Sequence, residues 1–256
     1  MTPARCLVPL VAFMPAWACA ADYSAKAIEA WVTDADTGQS LEGVNVVAHW
    51  ELNYGLEGGG VWELAVMETV TDGNGRFAFP AWGPKPIPPG LPREARLKDR
   101  DPEILLFKAG YDLEYRTRRE ERRKLSDFSG HGPSAREWFA NGERIALVKI
   151  ESLSPQARAR KSLTGRSEAQ IQALLLSVFD DRLQVLASRP ECGWRELPRA
   201  IASAEKARRA LLARDEAAVR EKFVAQRTLY ERLVSRDAQM SVQCGASPRQ
   251  LLEAAS

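Results

Sequence analysis

Two short alternating runs, each next to a glycine-containing turn, limit this chain to a small set of folds. Between residues 28 and 33 small or aliphatic side chains alternate with larger or polar ones, and a turn follows at residues 34–38. Further along, a glycine-rich tetrad at residues 72–75 leads into a second run at residues 76–79. A period of two is typical of half-buried strands, and Asp, Asn and Gly favour the turns that join them. Both regions are therefore predicted to form strands.

Further strand-like segments complete a predicted β-sandwich. They lie at residues 44–50, 61–70, 103–107, 111–115 and 143–150. With the two runs above they make seven short strands separated by turn residues, which predicts a sandwich over residues 21–151. Beyond residue 151 the apolar period changes to about 3.6, which predicts a helical region over residues 152–256. The predicted fold class is α+β.

The first part of the chain resembles the carboxypeptidase regulatory-like domain family. The resemblance is carried by residues 29–46, with Asp34-Ala35-Asp36-Thr37-Gly38 inside them, and by Thr71-Asp72-Gly73-Asn74-Gly75-Arg76-Phe77. It extends over about residues 26–151 and implies a transthyretin-like sandwich of seven strands. It implies little about activity, because such domains are attached to peptidases, outer-membrane receptors and adhesins. The zinc carboxypeptidases would need a separate catalytic domain with a His-x-x-Glu motif, which this sequence lacks.

The helical region shows readable helix ends. Ser167 and Gln170 form a capping-box signature ahead of an apolar periodic run, and Pro190 is predicted to end that helix. The other helices are predicted at residues 197–211, at residues 219–233 with Asp215 as the cap, and after Ser247 and Pro248.

The N-terminus has the pattern of an export signal. A short apolar run at residues 6–13 precedes Ala18-Cys19-Ala20, the small-x-small arrangement that a signal peptidase needs. The run is too short to span a bilayer, so a signal peptide over residues 1–20 and a periplasmic or secreted protein are predicted, without a transmembrane segment. Lipid attachment at Cys19 is the alternative. It is disfavoured because Trp17 stands where a lipoprotein signal usually has a small residue.

Two cysteines are left after removal of the signal. Cys192 and Cys244 lie in an exported and therefore oxidising setting, so a disulfide between them is predicted. A metal-binding or catalytic cysteine is the alternative, opposed by the absence of a C-x-x-C motif and by a supply of only two histidines, His49 and His131.

Candidate metal and catalytic residues have simpler interpretations. Asp34, Asp36, Asp72 and Asn74 could supply oxygen ligands for calcium, but hairpin turns need the same residues beside glycine. The segment Ser129-Gly130-His131-Gly132 does not match a nucleophile elbow. No catalytic residue, metal or cofactor is therefore predicted.

Charge and loop composition leave the partner class open. With 36 basic and 34 acidic residues the net charge is +2, which does not indicate nucleic acid, and the charged run at residues 116–124 is interpreted as a solvated loop. Residues 80–102 contain seven prolines and are predicted to form an extended loop, which either binds a partner or crosses the end of the sandwich.

Taken together, these patterns favour an exported noncatalytic binding protein of the bacterial cell envelope. The edge strands or the proline-rich loop would contact another envelope protein. A carbohydrate-binding role is the alternative, with Trp31 and Trp82 as binding residues because aromatic faces stack on sugars. Trp31 is the better candidate, since it lies opposite the aliphatic residues of its strand. An enzyme without recognisable motifs ranks third.

Intact mass spectrometry of the exported protein tests the processing. We expect the mass of a chain that starts at Ala21, because cleavage after the small-x-small sequence removes the first twenty residues. A mass that corresponds to a chain starting at a lipid-modified Cys19 would contradict this prediction.

Overall fold

A computed structural model shows strands in the first half of the chain and helices in the second, which confirms the predicted α+β class. The strands form sheets of two, three and five strands. The structure describes residues 22–55, 60–92, 95–97, 102–116, 138, 140–188, 192–214, 216–224 and 227–256.

Strands occupy all seven segments where the sequence predicts them. In chain order the strands are β1 (Asp22–Ala25), β2 (Ile28–Asp34), β3 (Asn45–Tyr54), β4 (Gly60–Val70), β5 (Arg76–Phe79), β6 (Trp82–Pro86), β7 (Arg96–Leu97), β8 (Glu103–Phe107), β9 (Glu114–Arg116) and β10 (Arg144–Leu147). The sequence does not predict β1, β6 and β7. Two of these three, β6 and β7, lie in the proline-rich segment where a loop is expected.

The proline-rich segment can form a strand because its partner lies on one side only. Among the described residues, strand β6 pairs only with β1, in a separate two-stranded sheet. Pro84 and Pro86 lack a backbone N–H, and a strand with a free edge tolerates that loss.

The three-stranded and five-stranded sheets share an apolar core and form a sandwich of eight strands over the described residues, rather than the seven expected from the sequence. The smaller sheet has the order β10-β2-β5, with β10 parallel to β2, and the larger one has the order β4-β3-β8-β9, with β7 also paired to β3. Ile28, Ala30 and Val32 of β2 are buried in the same core as Val46 and Trp50 of β3. This apolar core between the sheets is the one that the alternating runs predict.

The other face of the five-stranded sheet is also buried, under the helices. Val47 of β3 and Leu105 and Phe107 of β8 belong to a second core that the helices complete. The ring of Phe107 stacks on that of Phe179, with 4.3 Å between the centroids. The central strands of this sheet are therefore covered on both sides.

The second half of the described chain is mainly helical. The helices are α1 (Pro155–Arg160), α2 (Glu168–Ser188), a 3-10 helix (Gly193–Glu196), α3 (Pro198–Leu212), α4 (Ala217–Val224), α5 (Leu229–Ser235), α6 (Asp237–Cys244) and α7 (Pro248–Ala254). The capping box before α2 is confirmed, because Gln170 N donates to the Ser167 hydroxyl while Ser167 N donates to Gln170. None of the helices in these described ranges has both the length and the apolar composition to cross a membrane.

One predicted helix is in fact two. The apolar period at residues 219–233 suggests a single helix, but the structure has α4 and then α5. Thr228 and Glu231 form a reciprocal capping box that starts α5, and this local signal interrupts the periodic run. Asp215, the predicted cap, and Pro190, the predicted end of α2, lie outside the described residues.

The predicted disulfide is present. Cys192 and Cys244 are bonded, with 5.7 Å between their Cα atoms. The bond joins the residue before the 3-10 helix to the last residue of α6. It therefore holds the two ends of a 52-residue stretch of the helical layer together.

A carboxylate on the sheet fixes where the helical layer begins. The two oxygens of Glu68 on β4 accept hydrogen bonds from Arg199 N and Ala200 N, both at 2.8 Å. Helix α3 has no side-chain cap of its own, since Leu197 occupies its N-cap position. Burial raises the pKa of Glu68, and the two backbone hydrogen bonds oppose that shift. Glu68 thus takes the role of an N-cap from a different element.

Replacing Glu68 tests this link between sheet and helices. We expect Glu68→Ala to lower the free energy of unfolding by about 1 kcal/mol, because two N–H groups of the first turn lose their acceptor. Glu68→Gln keeps one acceptor oxygen and should lose less. Urea unfolding of the two variants and the parent protein measures the difference, and equal stability of all three would exclude the capping role.

Candidate functional site

A cavity of about 630 Å³ lies between three helices of the helical layer. We call it the groove. Its walls come from α2 (Asp181, Gln184, Val185 and Ser188), from α5 (Leu229, Arg232 and Leu233) and from α6 (Met240, Gln243 and Cys244). Trp194 of the 3-10 helix also contributes to the lining. Ligand sites in proteins commonly have volumes of about 300–1,000 Å³, so the groove has a suitable size.

Covalent and polar bonds hold the walls of the groove in place. The disulfide ties α6 to the 3-10 helix, and Arg195 Nη1 donates to the Cys244 carbonyl at 2.9 Å. On the other side, the Asp180 carboxylate accepts the first N–H of α5, from Leu229, at 3.2 Å. Burial raises the pKa of Asp180, and its hydrogen bonds from Gln184 and Leu229 oppose the shift. The groove is therefore a preformed feature of the helix packing.

The groove combines a buried apolar surface with charged groups. Trp194, Leu229 and Leu233 are almost fully buried, whereas Val185 is 50% exposed. Arg232 and Arg236 add two positive charges to the lining and Asp181 adds one negative charge. Apolar surface with a few charged groups can bind a partly apolar ligand and orient it.

Besides the groove, the structure contains a polar cluster on the helix-facing side of the five-stranded sheet. His49 on β3 has Glu63 Oε2 at 3.1 Å from Nδ1 and Glu103 Oε2 at 3.3 Å from Nε2. Glu51 also lies beside His49. One ring nitrogen of His49 and one carboxylate oxygen each of Glu51 and Glu63 lie within 4.8 Å of one another. We call these four residues the His49 cluster.

A β-bulge in β4 places the Glu63 carboxylate on the same face of the sheet as the rest of the His49 cluster. The pairing of β3 with β4 runs from Asn45↔Val70 to Trp50↔Ala65, and then shifts so that Glu51 pairs with Glu63. Leu64 is the extra residue. Without the bulge, Glu63 would oppose Leu52 and would face the sandwich core. The bulge turns Glu63 to the face that carries His49.

The electrostatics of the His49 cluster favour a charged imidazole. Burial alone would lower the pKa of His49, but hydrogen bonds with Glu103 and Glu63 outweigh it and raise the pKa to about 9. Burial raises the pKa of Glu63, and the contact with His49 opposes that shift. The ring and the carboxylates therefore stabilise one another in a largely buried position.

The two tryptophans predicted to bind a ligand belong to different sheets. Trp82 on β6 packs edge-on against Trp50, with 5.3 Å between ring centroids, and Lys85 Nζ lies 5.1 Å from its ring centroid. Trp31 on β2 is partly exposed and pairs in register with Arg76 and Arg144. The structure does not bring the two rings together into one platform.

The acidic turn residues hold their own turns. Asp34 Oδ1 accepts from Asp36 N and Thr37 N, and Oδ2 accepts from the Tyr111 hydroxyl at 2.8 Å. The hydrogen bond from Tyr111 is the main reason why the pKa of Asp34 lies well below its usual range. Asp72 similarly accepts from backbone N–H groups of its hairpin. These contacts agree with the turn interpretation.

Several sequence predictions lie outside the described residues. These are the signal peptide with Cys19, the segment around His131, and residues 117–124 of the charged run. Of that run the structure describes only Arg116, which contacts Glu114.

The sequence predicts neither the groove nor the His49 cluster. The groove depends on how three helices pack, and no motif in the chain signals it. His49, Glu63 and Glu103 are separated in sequence and meet only through strand pairing and the bulge. Comparison of the chain with protein-family models, with curated proteins and with solved structures finds no match.

Removal of the disulfide tests how much it stabilises the fold that contains the groove. We expect the double variant Cys192→Ser, Cys244→Ser to lose about 4 kcal/mol of unfolding free energy, because the unfolded chain is no longer constrained over 52 residues. Thermal unfolding followed by circular dichroism measures the loss. Reduction of the parent protein should reproduce it, and an unchanged melting temperature in both experiments would contradict the prediction.

Proposed function

We propose that this chain is an exported, noncatalytic binding protein whose groove receives an apolar segment of another protein of the cell envelope. The observation that carries the proposal is the preformed cavity of about 630 Å³ between α2, α5 and α6. The β-sandwich, which resembles the carboxypeptidase regulatory-like and transthyretin-like domains, serves as the rigid support for the helices.

The shape of the groove favours a polypeptide over a small enclosed ligand. Its α2 wall includes Asp181, Gln184, Val185 and Ser188, which are spaced as one face of a helix about two turns long. Val185 is half exposed, so the apolar surface continues to the outside of the cavity. An occupant that covers this surface must extend along α2. An amphipathic helix lying in a hydrophobic groove has these dimensions.

The charges of the groove indicate which segment fits. Arg232 and Arg236 lie four residues apart at the end of α5, and a carboxylate on the partner would meet them. Asp181 on α2 would repel an acidic residue of the partner that lay next to it. We therefore expect a segment with apolar anchors and an acidic residue near one end.

Export is supported by the disulfide. Such bonds form and persist in oxidising compartments such as the bacterial periplasm, and they are rare in the cytosol. The bond between Cys192 and Cys244 borders the groove directly. A site held open by a disulfide is suited to a partner outside the cytoplasm.

A pair of valine substitutions tests the groove. Val185 lines it and is 50% exposed, whereas Val242 on α6 is 89% exposed and does not line it. Both side chains reach solvent, so a glutamate at either position does not place its charge in the core. A photo-crosslinking residue at position 185, but not at position 242, should capture one defined envelope protein in intact cells. Purified Val185→Glu should then bind that protein at least about tenfold more weakly, whereas Val242→Glu should bind it normally.

Three results would count against this function. A protein captured equally from both positions would not occupy the groove. Native mass spectrometry that finds a small apolar molecule in the groove would replace the protein partner. Binding to envelope glycans that survives Val185→Glu but is lost in Trp31→Ala would move the function to the outer face of the three-stranded sheet, where Trp31 is partly exposed.

A further inference from the structure

We propose that His49, Glu51 and Glu63 form a binding site for a divalent transition-metal ion, with Glu103 orienting the imidazole. The site lies on the helix-facing side of the five-stranded sheet and involves none of the residues that line the groove. It is independent of the proposed function.

The distances in the cluster match those around a metal ion. A zinc ion binds an imidazole nitrogen at about 2.0–2.1 Å and a carboxylate oxygen at about 2.0–2.2 Å, so two neighbouring ligands of a tetrahedral ion lie about 3.3 Å apart. His49 Nδ1 and Glu63 Oε2 are 3.1 Å apart. One carboxylate oxygen of Glu51 lies within 4.8 Å of a ligand atom of His49 and of Glu63, close enough for a rotation of its half-buried side chain to complete the set.

The donor types define the class of ion. One imidazole nitrogen and two carboxylate oxygens suit zinc, manganese or ferrous iron, whereas calcium and magnesium prefer oxygen ligands alone. Two carboxylates also neutralise the charge of a divalent ion. The ion would occupy the position of the proton between Nδ1 and Glu63, and that proton would leave to solvent.

Glu103 supplies the second feature of a metal-bound histidine. Its Oε2 atom lies 3.3 Å from His49 Nε2, whereas Glu63 contacts the other ring nitrogen, Nδ1. A carboxylate at Nε2 fixes the orientation of the ring and makes Nδ1 the ligand. The register of the sheet places it there, since His49 on β3 pairs directly with Glu103 on β8.

The strand pairing holds two acidic ligands opposite each other. Glu51 and Glu63 are direct cross-strand partners after the bulge. Like charges at such positions repel. A divalent cation between the two carboxylates converts this repulsion into attraction. The bulge therefore creates an arrangement that a metal ion stabilises.

The His49 cluster is largely buried but remains in contact with solvent. His49 and Glu63 are almost fully buried, while the Glu103 side chain is 29% exposed and Glu51 is half-buried. Glu51 and Glu103 are therefore the members of the cluster that reach solvent, whereas the imidazole is buried. An ion that enters the cluster would exchange its bound water molecules for the side chains of His49 and Glu63, which are held in place by burial.

Metal binding to the full-length protein tests the site. The protein is stripped with EDTA, dialysed against Zn²⁺ and analysed for bound zinc and for its melting temperature. We expect one zinc ion per chain and a higher melting temperature. Glu51→Gln and Glu63→Gln should each weaken zinc binding by at least about tenfold, and Glu103→Gln by about tenfold.

A matched control separates the site from a general loss of acidic charge. Glu68→Gln removes a carboxylate from the same strand as Glu63 and should leave zinc binding unchanged. Because Glu51 is half-buried, Glu51→Gln should fold normally even if Glu63→Gln does not. Circular dichroism checks the fold of each variant.

A spectroscopic readout identifies the ligands. Co²⁺ bound in place of Zn²⁺ should give the visible absorption of a tetrahedral site, and His49→Ala should abolish it. Equal zinc binding by the parent protein and Glu51→Gln would overturn the proposal, as would a failure to retain zinc after dialysis. Either result would leave His49 as a charged imidazole that joins two strands through its ion pairs.

Discussion

Burial of the five-stranded sheet on both faces is the constraint on which the rest of the structure depends. Side chains on successive residues of a strand point to opposite faces, so β3 sends Val46 and Trp50 into the sandwich and Val47 and His49 toward the helices. A sheet with one face open to solvent would need apolar side chains only on the sandwich side, where Val46 and Trp50 lie. The apolar side chains on the helix-facing side, Val47, Leu105 and Phe107, require the helical layer as a cover. The two halves of the chain are therefore parts of one packing arrangement.

The helical layer then follows from its attachment to that sheet. Phe179 of α2 stacks on Phe107, and Glu68 caps the first turn of α3. With α2 held on the sheet by one side, its other residues, such as Gln184 and Val185, are left to face α5 and α6. The disulfide ties α6 to the 3-10 helix, and the hydrogen bond from Leu229 N to Asp180 ties the start of α5 to α2. The groove is the space that results between helices anchored in two different ways.

The local signals in the sequence predict elements well and their assembly poorly. The seven strand segments, the Ser167 capping box and the disulfide can all be predicted, because each depends on neighbouring residues or on two available thiols. The split between α4 and α5 escapes prediction because the apolar period continues across it, although the Thr228 capping box is visible in the sequence. Both candidate sites escape prediction for a different reason. They are formed by residues that only tertiary packing or strand register brings together.

The bulge at Leu64 shows how strongly a site can depend on register. A shift of one residue in a strand moves every following side chain to the other face. Here the shift places Glu63 beside His49, and keeps Trp62 opposite Leu52 in the following pair. A carboxylate in the sandwich core would have met apolar groups and lost its charge. On the helix-facing side it meets an imidazole and a second carboxylate. The same insertion thus removes a conflict from the core and assembles the cluster, so the fold and the proposed metal site depend on a single residue that no local pattern distinguishes.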